Sequence, residues 1–354
     1  MVSPLILDDL RLCSVKDSAT VRDVVANLDE SSLRLALVVD SQGILLGIVS
    51  DGDIRRGLLA GRTLDDQATA VMNTRFTVAP ASSPTDELRA LARAREISHV
   101  PLVDLDGRPV QLYLERPEAV LSRQPNTVVI MAGGKGLRLR PLTETTPKPM
   151  LAVAGKPMVQ HTLEALRAEG FRNFVMTLNY LAEQIEDYFG DGESFGVSIS
   201  YVREDQPLGT AGALSLLEGP FVAPVIVVNG DLLLSAKIAD MVAYHNQNGA
   251  GVTVGVKLLD TQIPFGVVEV DGSRVTGIAE KPVYRDFVNA GVYVLSPEIL
   301  SDIVPGARLD MPDLVSRHIG AENVFAFPLH ESWLDLGRIE DLEKARRDLE
   351  GNRD

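Results

Sequence analysis

The hydrophobic pattern divides the chain into two parts with different element orders. Beyond residue 127, several short runs are continuously apolar, which is typical of strands buried on both faces of a parallel sheet. Between the first two runs, Met158 to Glu169 has apolar residues at helical spacing and is followed by Gly170, a common helix C-cap. This alternation predicts an α/β domain with a mostly parallel sheet. The apolar runs are Val128-Val129-Ile130-Met131, Phe174-Val175-Met176-Thr177-Leu178 and Val225-Ile226-Val227-Val228.

The first 120 residues contain an internal repeat. A shift of 64 residues places Val38-Val39-Asp40 on Leu102-Val103-Asp104 and Gly43 on Gly107. Each copy has a helical stretch, Val21 to Leu28 and Thr85 to Ala94, followed by two β-rich runs around a glycine turn, which indicates a hairpin. The pattern predicts a tandem βαββα module at 1–120, a proline-containing linker at 121–126 and the α/β domain at 127–354.

Composition excludes several classes of protein. A net charge of −15 over 354 residues argues against nucleic-acid binding, which depends on Lys and Arg contacts to phosphate. No apolar run reaches the roughly 18 residues of a membrane helix, so no membrane insertion is expected. The first residues lack the basic start of a signal peptide, and a single cysteine, Cys13, is typical of a reducing compartment. A cytoplasmic location is therefore expected.

The most informative segment runs from Val128 to Met150. After the apolar strand, Gly133, Gly134 and Gly136 leave backbone N–H groups free to approach an anion closely. Arg138 and Lys148 add positive charge suited to phosphate. From Thr127 to Gln160 there are five basic residues and one acidic residue, in an otherwise acidic chain. The segment therefore predicts a site for a small anion such as a nucleoside triphosphate.

Two common phosphate motifs do not fit this segment. A Walker loop requires Ser or Thr after the lysine, whereas Gly136 follows Lys135. A dinucleotide fingerprint requires a third glycine where this chain has Leu139, and an acidic residue about 20 residues after the turn. That region reads Ala154-Gly155-Lys156-Pro157.

Seven short motifs follow one another between residues 127 and 347. They are Gly134-x-Gly136-x-Arg138-x-x-Pro141-Leu142-Thr143-x-x-x-Pro147-Lys148-Pro149, Gln206-Pro207-Leu208-Gly209-Thr210-Ala211-Gly212, Asn229-Gly230-Asp231, Phe265-Gly266-Val267-Val268, Glu280-Lys281-Pro282, Asn289-Ala290-Gly291 and Trp333-Leu334-Asp335-Leu336-Gly337. In this order they resemble the motifs of the sugar-1-phosphate nucleotidyltransferases, the pyrophosphorylases that make nucleotide sugars. The resemblance implies a Rossmann-like nucleotidyltransferase core.

The resemblance implies attack by a sugar 1-phosphate oxygen on the α-phosphorus of a nucleoside triphosphate, with pyrophosphate leaving. It assigns catalysis to Arg138 and Lys148, and Mg²⁺ binding to Asp231 and Asp335. Oxygen ligands near phosphate suit this ion. The implied nucleotide-binding residues are Gly133, Gly134, Gly136, Arg138, Gln206 and Gly209. The implied sugar-phosphate-binding residues are Gly266, Glu280, Lys281 and Asn289.

The first repeat continues as Gly47-Ile48-Val49-Ser50-Asp51-Gly52-Asp53-Ile54-Arg55 and resembles the cystathionine-β-synthase (CBS) domain. The family implies a possible adenosine site at Ser50 and Asp53. The second copy has Leu114 and Pro117 at the matching positions, so it is degenerate in nucleotide-binding residues. A purely structural or dimerising role is the alternative, and the resemblance implies a homodimer or higher homo-oligomer.

The base and the sugar stay open at this stage. The motif forms resemble most the mannose-1-phosphate and glucosamine-1-phosphate guanylyltransferases, which favours GTP with one of those two sugar phosphates. UTP, dTTP or CTP with glucose 1-phosphate or another sugar is the alternative within the same reaction. A catalytically silent regulatory relative, or a nucleotide sensor, is the alternative class.

Overall fold

The computed structural model describes residues 5–31, 33–115, 123–321 and 323–350. The chain divides into two compact units, Met1–Val120 and Leu121–Asp354. Residues 121 and 122 of the predicted linker lie outside the described residues. Residues 124–126, also assigned to that linker, instead begin the first strand of the second unit, because Gln124 pairs with Phe171 of the neighbouring strand.

The first unit has two small sheets and three described helices. Its strands are β1 (Leu5–Leu7), β2 (Ser14–Lys16), β3 (Leu35–Val39), β4 (Leu45–Ser50), β5 (Ala79–Pro80), β6 (His99–Val103) and β7 (Pro109–Leu114). Its helices are α1 (Val21–Ser31), α2 (Asp51–Leu59) and α3 (Thr85–Ala94). One sheet has the order β2-β3-β4 and the other β1-β7-β6-β5.

The two hairpins of this unit repeat each other in detail. Gly43 and Gly107 both have positive φ, +83° and +80°. A glycine adopts this conformation at no steric cost because it has no Cβ. Asp40 Oδ1 accepts hydrogen bonds from the backbone N–H groups two and four residues later, and Asp104 Oδ1 makes the same pair. Pro117, the degenerate position of the second copy, lies outside the described residues.

The second unit is the α/β domain. Its described strands are β8 (Gln124–Met131), β9 (Ala152–Val153), β10 (Lys156–Pro157), β11 (Phe171–Leu178), β12 (Ser198–Arg203), β13 (Val225–Asn229), β14 (Leu232–Leu234), β15 (Val252–Gln262), β16 (Val267–Asp271), β17 (Arg274–Ala279), β18 (Val283–Leu295), β19 (Val324–Pro328) and β20 (Trp333–Asp335). Its described helices are α4 (Met158–Ala168), α5 (Ala182–Phe189), α6 (Gly209–Gly212), α7 (Ile238–Gln247), α8 (Pro297–Leu300), α9 (Met311–His318) and α10 (Ile339–Glu350).

Seven described strands form the central sheet in the order β12-β11-β8-β13-β18-β15-β19. The pairs β12/β11, β11/β8, β8/β13 and β15/β19 are parallel, and the two pairs made by β18 are antiparallel. The predicted α/β class with a mostly parallel sheet is confirmed.

Both faces of the sheet are covered, which explains its continuously apolar strands. On β8, Val128 and Ile130 pack into a core shared with Leu163 of α4, whereas Val129 packs into a second core with Leu314 of α9. The alternation follows from the period of two along a strand. Because both cores require apolar residues, neither face of β8 can be polar.

One part of the second unit extends away from these cores. β15 and β18 continue as a two-stranded antiparallel pair, Leu258–Gln262 against Val283–Phe287. Beyond them, β16 and β17 pair only with each other. We call β16, β17 and the loops that join them to β15 and β18 (residues 263–282) the hairpin arm; most of its residues are exposed.

Candidate functional site

Two neighbouring parallel strands end side by side at the glycine-rich segment. Asn229, the last residue of β13, pairs with Met131, the last residue of β8. The Gly230 N–H donates to the Met131 carbonyl at 3.0 Å. Gly133 therefore follows one strand end and Asp231 the other, in the same crevice. Ligands of open α/β sheets bind at such carboxyl ends.

The glycines of the turn are required for different reasons. Gly136 has φ +59°, and a Cβ there would lie 2.8 Å from Thr143 Cγ2 and 2.9 Å from Lys148 Cβ. A Cβ on Gly133 would lie 2.9 Å from Glu204 Oε1. At Gly134 no atom of the described residues lies within 4 Å of a Cβ, so its backbone is accessible from the crevice. Gly136 thus shapes the turn, while Gly134 offers an approachable backbone.

Lys148 and Asp231 form an ion pair across the crevice. Lys148 Nζ donates to Asp231 Oδ2, although the two residues are 83 positions apart in sequence. Lys148 lies in a single 3₁₀ turn, Lys148–Met150, that begins after Pro147. Pro149, at the second position of this turn, has its φ fixed by its ring near the value that such a turn requires. The side chains of both residues are mostly buried, so the pair is partly shielded from water.

Asp335 reaches the same crevice from a different strand. β20 pairs antiparallel with β14, which places Asp335 opposite Leu232, and the Leu336 N–H donates to the Asp231 carbonyl at 3.1 Å. Desolvation raises the pKa of Asp335, and the negative charge of Asp231 raises that pKa further. Lys148 and Arg138 act in the opposite direction. The two carboxylates are therefore close enough to interact electrostatically.

Arg138 lies beside this carboxylate pair and is exposed. Its guanidinium is 3.5 Å from the position of a Cβ on Gly337, the last residue of the Trp-Leu-Asp-Leu-Gly motif. Since Gly337 carries no side chain, Arg138 can lie over it. The arrangement combines two cationic side chains with two carboxylates, which suits a phosphorylated ligand accompanied by a divalent cation.

Three adjoining cavities follow the strand ends. The first, of about 260 Å³, is lined by Gly133, Gly134, Lys148, Gly209 and Asp231 among others. The second, of about 390 Å³, shares Asn229 and Thr210 with the first and includes Asp335 and Asn289. The third, of about 450 Å³, includes Gly136, Arg138, Lys148 and Asp231. Asp231 lines the first and third cavities, and Asp335 lines the second.

Of the residues predicted to contact the base, Gly209 lines the first cavity and Gln206 is exposed beside it, outside its lining. Gly209 has φ +81°, and a Cβ there would lie 2.6 Å from the Leu309 carbonyl oxygen. Leu309 in turn accepts hydrogen bonds from the N–H groups of Ala211 and Gly212. The glycine is therefore required by the close packing of this turn.

The predicted sugar-phosphate residues fall in two places. Asn289 lines the second cavity, where its Nδ2 donates to the Tyr293 hydroxyl at 2.5 Å. Gly266, Glu280 and Lys281 lie in the hairpin arm and line none of the three cavities. Within the arm, a Cβ on Gly266 would be 3.0 Å from Glu280 Oε2. The described structure thus groups Gly266 with Glu280 but does not bring the arm residues to the carboxylate pair.

Sequence reasoning missed two polar residues of the first cavity. Asn179 directly follows β11 and Glu204 directly follows β12, and both line that cavity. Asn179 Nδ2 donates to the Glu204 carbonyl at 2.9 Å. Burial raises the pKa of Glu204, while its hydrogen bond from the Leu208 N–H lowers that pKa. Ligands of open α/β sheets bind at the carboxyl ends of the strands, so the residues that follow each parallel strand were candidates from sequence alone.

In the first unit, Ser50 and Asp53 bind each other. Ser50 Oγ donates to Asp53 Oδ2 at 2.6 Å, and the Ser50 N–H donates to the same oxygen at 2.9 Å. Together they form a capping box at the start of α2. The other oxygen, Asp53 Oδ1, accepts from Arg56 at 2.5 Å. Both residues therefore have a structural role, whatever else they bind.

The described part of the chain offers neither a membrane-spanning helix nor a ready-made metal cluster. No helix there combines the length and apolar character needed to cross a bilayer. No group of three or more His, Cys, Asp or Glu side chains there is arranged to hold a metal ion. Asp231 and Asp335 are two carboxylates, a number that Mg²⁺ commonly uses beside phosphate oxygens and water.

Comparison with known proteins supports the family resemblances that the sequence motifs indicate. The family model described as nucleotidyl transferase matches residues 127–352, and the CBS domain model matches residues 1–60. A mannose-1-phosphate guanylyltransferase of Mycobacterium tuberculosis is 34% identical over 228 residues, which cover 62% of this chain and 64% of that protein. A UTP–glucose-1-phosphate uridylyltransferase of Synechocystis is 33% identical over 240 residues, 62% of each protein. The chain thus spans less than two thirds of the length of these two relatives.

A solved structure is also similar. A candidate glucose-1-phosphate thymidylyltransferase from Bacillus anthracis, in complex with sucrose, has a TM-score of 0.52 and 27% identity. The match covers 62% of this chain and 93% of that one. The resemblance inferred from the seven motifs is confirmed. The chain belongs to the nucleotidyl transferase family and has a CBS domain at its N-terminus.

Proposed function

We propose that the second unit transfers a nucleoside monophosphate from GTP to glucosamine 1-phosphate or mannose 1-phosphate. Pyrophosphate leaves, and the product is a nucleotide sugar for surface-polysaccharide or glycan synthesis. The observation that carries the proposal is the convergence of an open glycine turn, two cationic side chains and two carboxylates at adjacent strand ends.

The chemistry brings two anions together. An oxygen of the sugar 1-phosphate attacks the α-phosphorus, and the bond to the leaving pyrophosphate breaks. Holding both groups in line and neutralising their charge supplies most of the catalysis. Arg138 is exposed over the crevice and can contact the triphosphate. Lys148 now neutralises Asp231 and can turn to the phosphates once that carboxylate has another partner.

Asp231 and Asp335 would hold Mg²⁺. Their fit rests on geometry: the Leu336 N–H bond to the Asp231 carbonyl keeps the segment of Asp335 beside Asp231, and both residues line the cavities at the strand ends. Two neighbouring carboxylates gain from a shared cation. When bound, the ion would neutralise phosphate charge and screen the two carboxylates from the substrates.

Guanine is favoured by the carboxylate of Glu204 as well as by the motif forms. Guanine presents two adjacent donors, N1–H and the exocyclic N2–H, which a carboxylate can accept together. Glu204 Oε1 faces the first cavity beside Gly133. Gln206 and Gly209 are the further nucleotide contacts in this proposal. UTP, dTTP or CTP with glucose 1-phosphate is the alternative, which the uridylyltransferase relative supports.

The sugar phosphate would lie in the second cavity, with Asn289 in its wall. In this proposal Lys281 binds the phosphate, and Glu280 and the Gly266 backbone read sugar hydroxyls. These three residues lie in the exposed hairpin arm, so their role requires the arm to approach the bound sugar. Single alanine variants of Glu280 and Lys281 that leave the KM for the sugar phosphate unchanged would remove them from the proposal.

Pyrophosphate release tests the function. Four nucleoside triphosphates are assayed against glucosamine, mannose and glucose 1-phosphates with Mg²⁺, and each reaction is repeated with EDTA. We expect the highest kcat/KM with GTP and one of the first two sugars, and none with EDTA. Turnover with no pair would favour the catalytically silent regulatory relative, and a preference for UTP with glucose 1-phosphate would favour the alternative substrates.

For the first unit, the adenosine site at Ser50 and Asp53 remains a hypothesis, as do a homodimer or larger homo-oligomer and a cytoplasmic location. Calorimetric titration of the full chain with AMP and ATP, compared with Asp53→Ala, tests the site. Because ATP can also enter the crevice of the second unit, only AMP heat that Asp53→Ala abolishes would support it. Sedimentation of the chain alone measures the oligomeric state.

A further inference from the structure

A half-buried lysine outside the cavities supports the chain segment that carries Asp335. Residues 329–332 connect β19 of the central sheet to β20 of the small β14/β20 pair. Lys257, on β15, donates from Nζ to the carbonyl oxygens of His330 at 3.2 Å and Glu331 at 2.7 Å. His330 and Glu331 are 7% and 8% exposed, so water has little access to this turn.

The two ends of the turn are fixed by the backbone, and its middle is fixed by Lys257. At the start, the Leu329 N–H donates to Val256 O at 2.8 Å, and at the end Ser235 N–H donates to Ser332 O at 3.1 Å. Between these two ends, the carbonyl oxygens of His330 and Glu331 accept from the ammonium of Lys257. Hydrogen bonds from an ammonium are stronger than those from neutral donors, and a buried carbonyl that loses its donor destabilises the fold.

The strand after the turn is short and is held at its two ends: the turn bound by Lys257 precedes it, and beyond it the buried Leu336 donates its N–H to the Asp231 carbonyl at 3.1 Å. β14 and β20 share only three residue pairs, Leu232↔Asp335, Leu233↔Leu334 and Leu234↔Trp333. An isolated two-stranded pair is marginally stable at best. Trp333 Nε1 donates to Ala290 O at 2.9 Å and fixes one side of β20. The turn held by Lys257 fixes its start, and together they set the register that faces Asp335 toward Asp231.

We propose that Lys257 is a positioning residue for the carboxylate pair: by holding the turn at His330 and Glu331 it sets the register of Asp335 and so the affinity of the site for divalent cations. The inference rests on the proposed function for the presence of a metal. The contacts from which it is argued are those of the turn at residues 329–332. Burial lowers the pKa of Lys257 and the Glu331 carboxylate raises it, as expected for an ammonium enclosed by protein.

The test compares Lys257→Met, which keeps the length and removes the donors, with Lys257→Arg, which restores donors. Lys156→Met is the matched control, since Lys156 pairs with Glu164 away from this turn. Hydrogen exchange over residues 329–337 and Mn²⁺ binding followed by electron paramagnetic resonance are both measured without substrates. Steady-state pyrophosphate release then separates kcat from KM.

In Lys257→Met we expect faster exchange in 329–337 with unchanged exchange in β13. Mn²⁺ affinity should fall by about ten-fold or more, the usual effect of losing support behind a metal ligand. Lys257→Arg should recover most of the affinity, and Lys156→Met should match the wild type. Wild-type exchange or wild-type Mn²⁺ affinity in Lys257→Met would overturn the proposal. Because these readouts need no turnover, failure of the wild-type chain to release pyrophosphate would count against the proposed function alone.

Discussion

Asp53 in the first unit and Asp231 in the second are both partnered carboxylates, but they are partnered in opposite ways. Asp53 binds Ser50 and Arg56, each three residues away. Asp231 binds Lys148, which is 83 residues away. Asp53 is 8% exposed and closes the first turn of a helix. Asp231 lies in the wall of a crevice that a ligand can enter.

The difference separates structural polar groups from functional ones. A pair three residues apart can form as soon as the helix forms, so it stabilises that helix and requires nothing else. A pair drawn from segments that are distant in sequence forms only in the finished fold, and its desolvation is not offset by local structure. The following variants are ordered by the size of the expected effect, and each one tests this contrast.

Asp231→Ala should have the largest effect on activity. It removes one of two carboxylates proposed to hold Mg²⁺ and leaves Lys148 without its partner, so we expect kcat/KM to fall by about 10³-fold, several kcal/mol of transition-state stabilisation. Pyrophosphate release measures the loss, and circular dichroism checks the fold. Asp187→Ala, an exposed carboxylate on α5, is the control. Full activity in Asp231→Ala with Mg²⁺ present would make Asp231 structural, like Asp53.

Arg138→Ala should lower turnover by about 10²-fold with no change in melting temperature, since Arg138 is exposed. Arg140→Ala is the matched control, because Arg140 is also exposed and only two residues away, yet lines none of the three cavities. Equal kinetics for the two variants would show that the guanidinium at 138 has no special role.

Gly136→Ala and Gly134→Ala separate shape from access within one turn. Gly136 has a positive φ and no room for a Cβ, so we expect a loss of about 1–3 kcal/mol in the free energy of unfolding. Gly134 has room, so its alanine variant should keep its stability and raise the KM for the nucleotide instead. Chemical denaturation and steady-state kinetics measure the two effects. An equal loss of stability in Gly134→Ala and Gly136→Ala would contradict the separate roles of the two glycines.

Glu204→Gln tests a carboxylate that has a local partner and also lines the first cavity. Oε2 accepts locally from the Leu208 N–H, and Oε1 faces the cavity. The amide keeps one acceptor and cannot accept both guanine donors. The ratio of kcat/KM for GTP to that for UTP should therefore fall by about 5- to 150-fold, which corresponds to about 1–3 kcal/mol of discrimination. Competition between the two nucleotides measures the ratio. An unchanged ratio would place base selection elsewhere.

Asp53→Asn should have the smallest effect on turnover. The change weakens the capping box and the Arg56 ion pair, which together should stabilise the first unit by about 1 kcal/mol. Differential scanning calorimetry of the full chain should show a lower transition for that unit, with kcat in the absence of adenine nucleotide unchanged. A loss of turnover comparable to that of Arg138→Ala would contradict a local role for Asp53.

Much of this fold could be predicted because its signals are local. The apolar runs of β8, β11 and β13, the glycine end of α4 and the repeat of the first unit all depend on neighbouring residues and on burial of both sheet faces. The exact residues of the crevice were harder to predict. Asn179 and Glu204 have no motif of their own, and they are brought to the cavity by the strand order β12-β11-β8-β13.

The sequence by itself determined the element types, the two-part organisation and the set of chemical groups at the glycine-rich segment, because spacing and residue type control hydrogen bonding and burial over a few positions. Only the tertiary structure decided that Lys148 neutralises Asp231, that Lys257 supports the turn before Asp335, and that Glu280 and Lys281 stand on an exposed arm. These contacts join distant segments, so they depend on strand order and register. The energy that fixes order and register is summed over the whole core and cannot be assigned to any short stretch of residues.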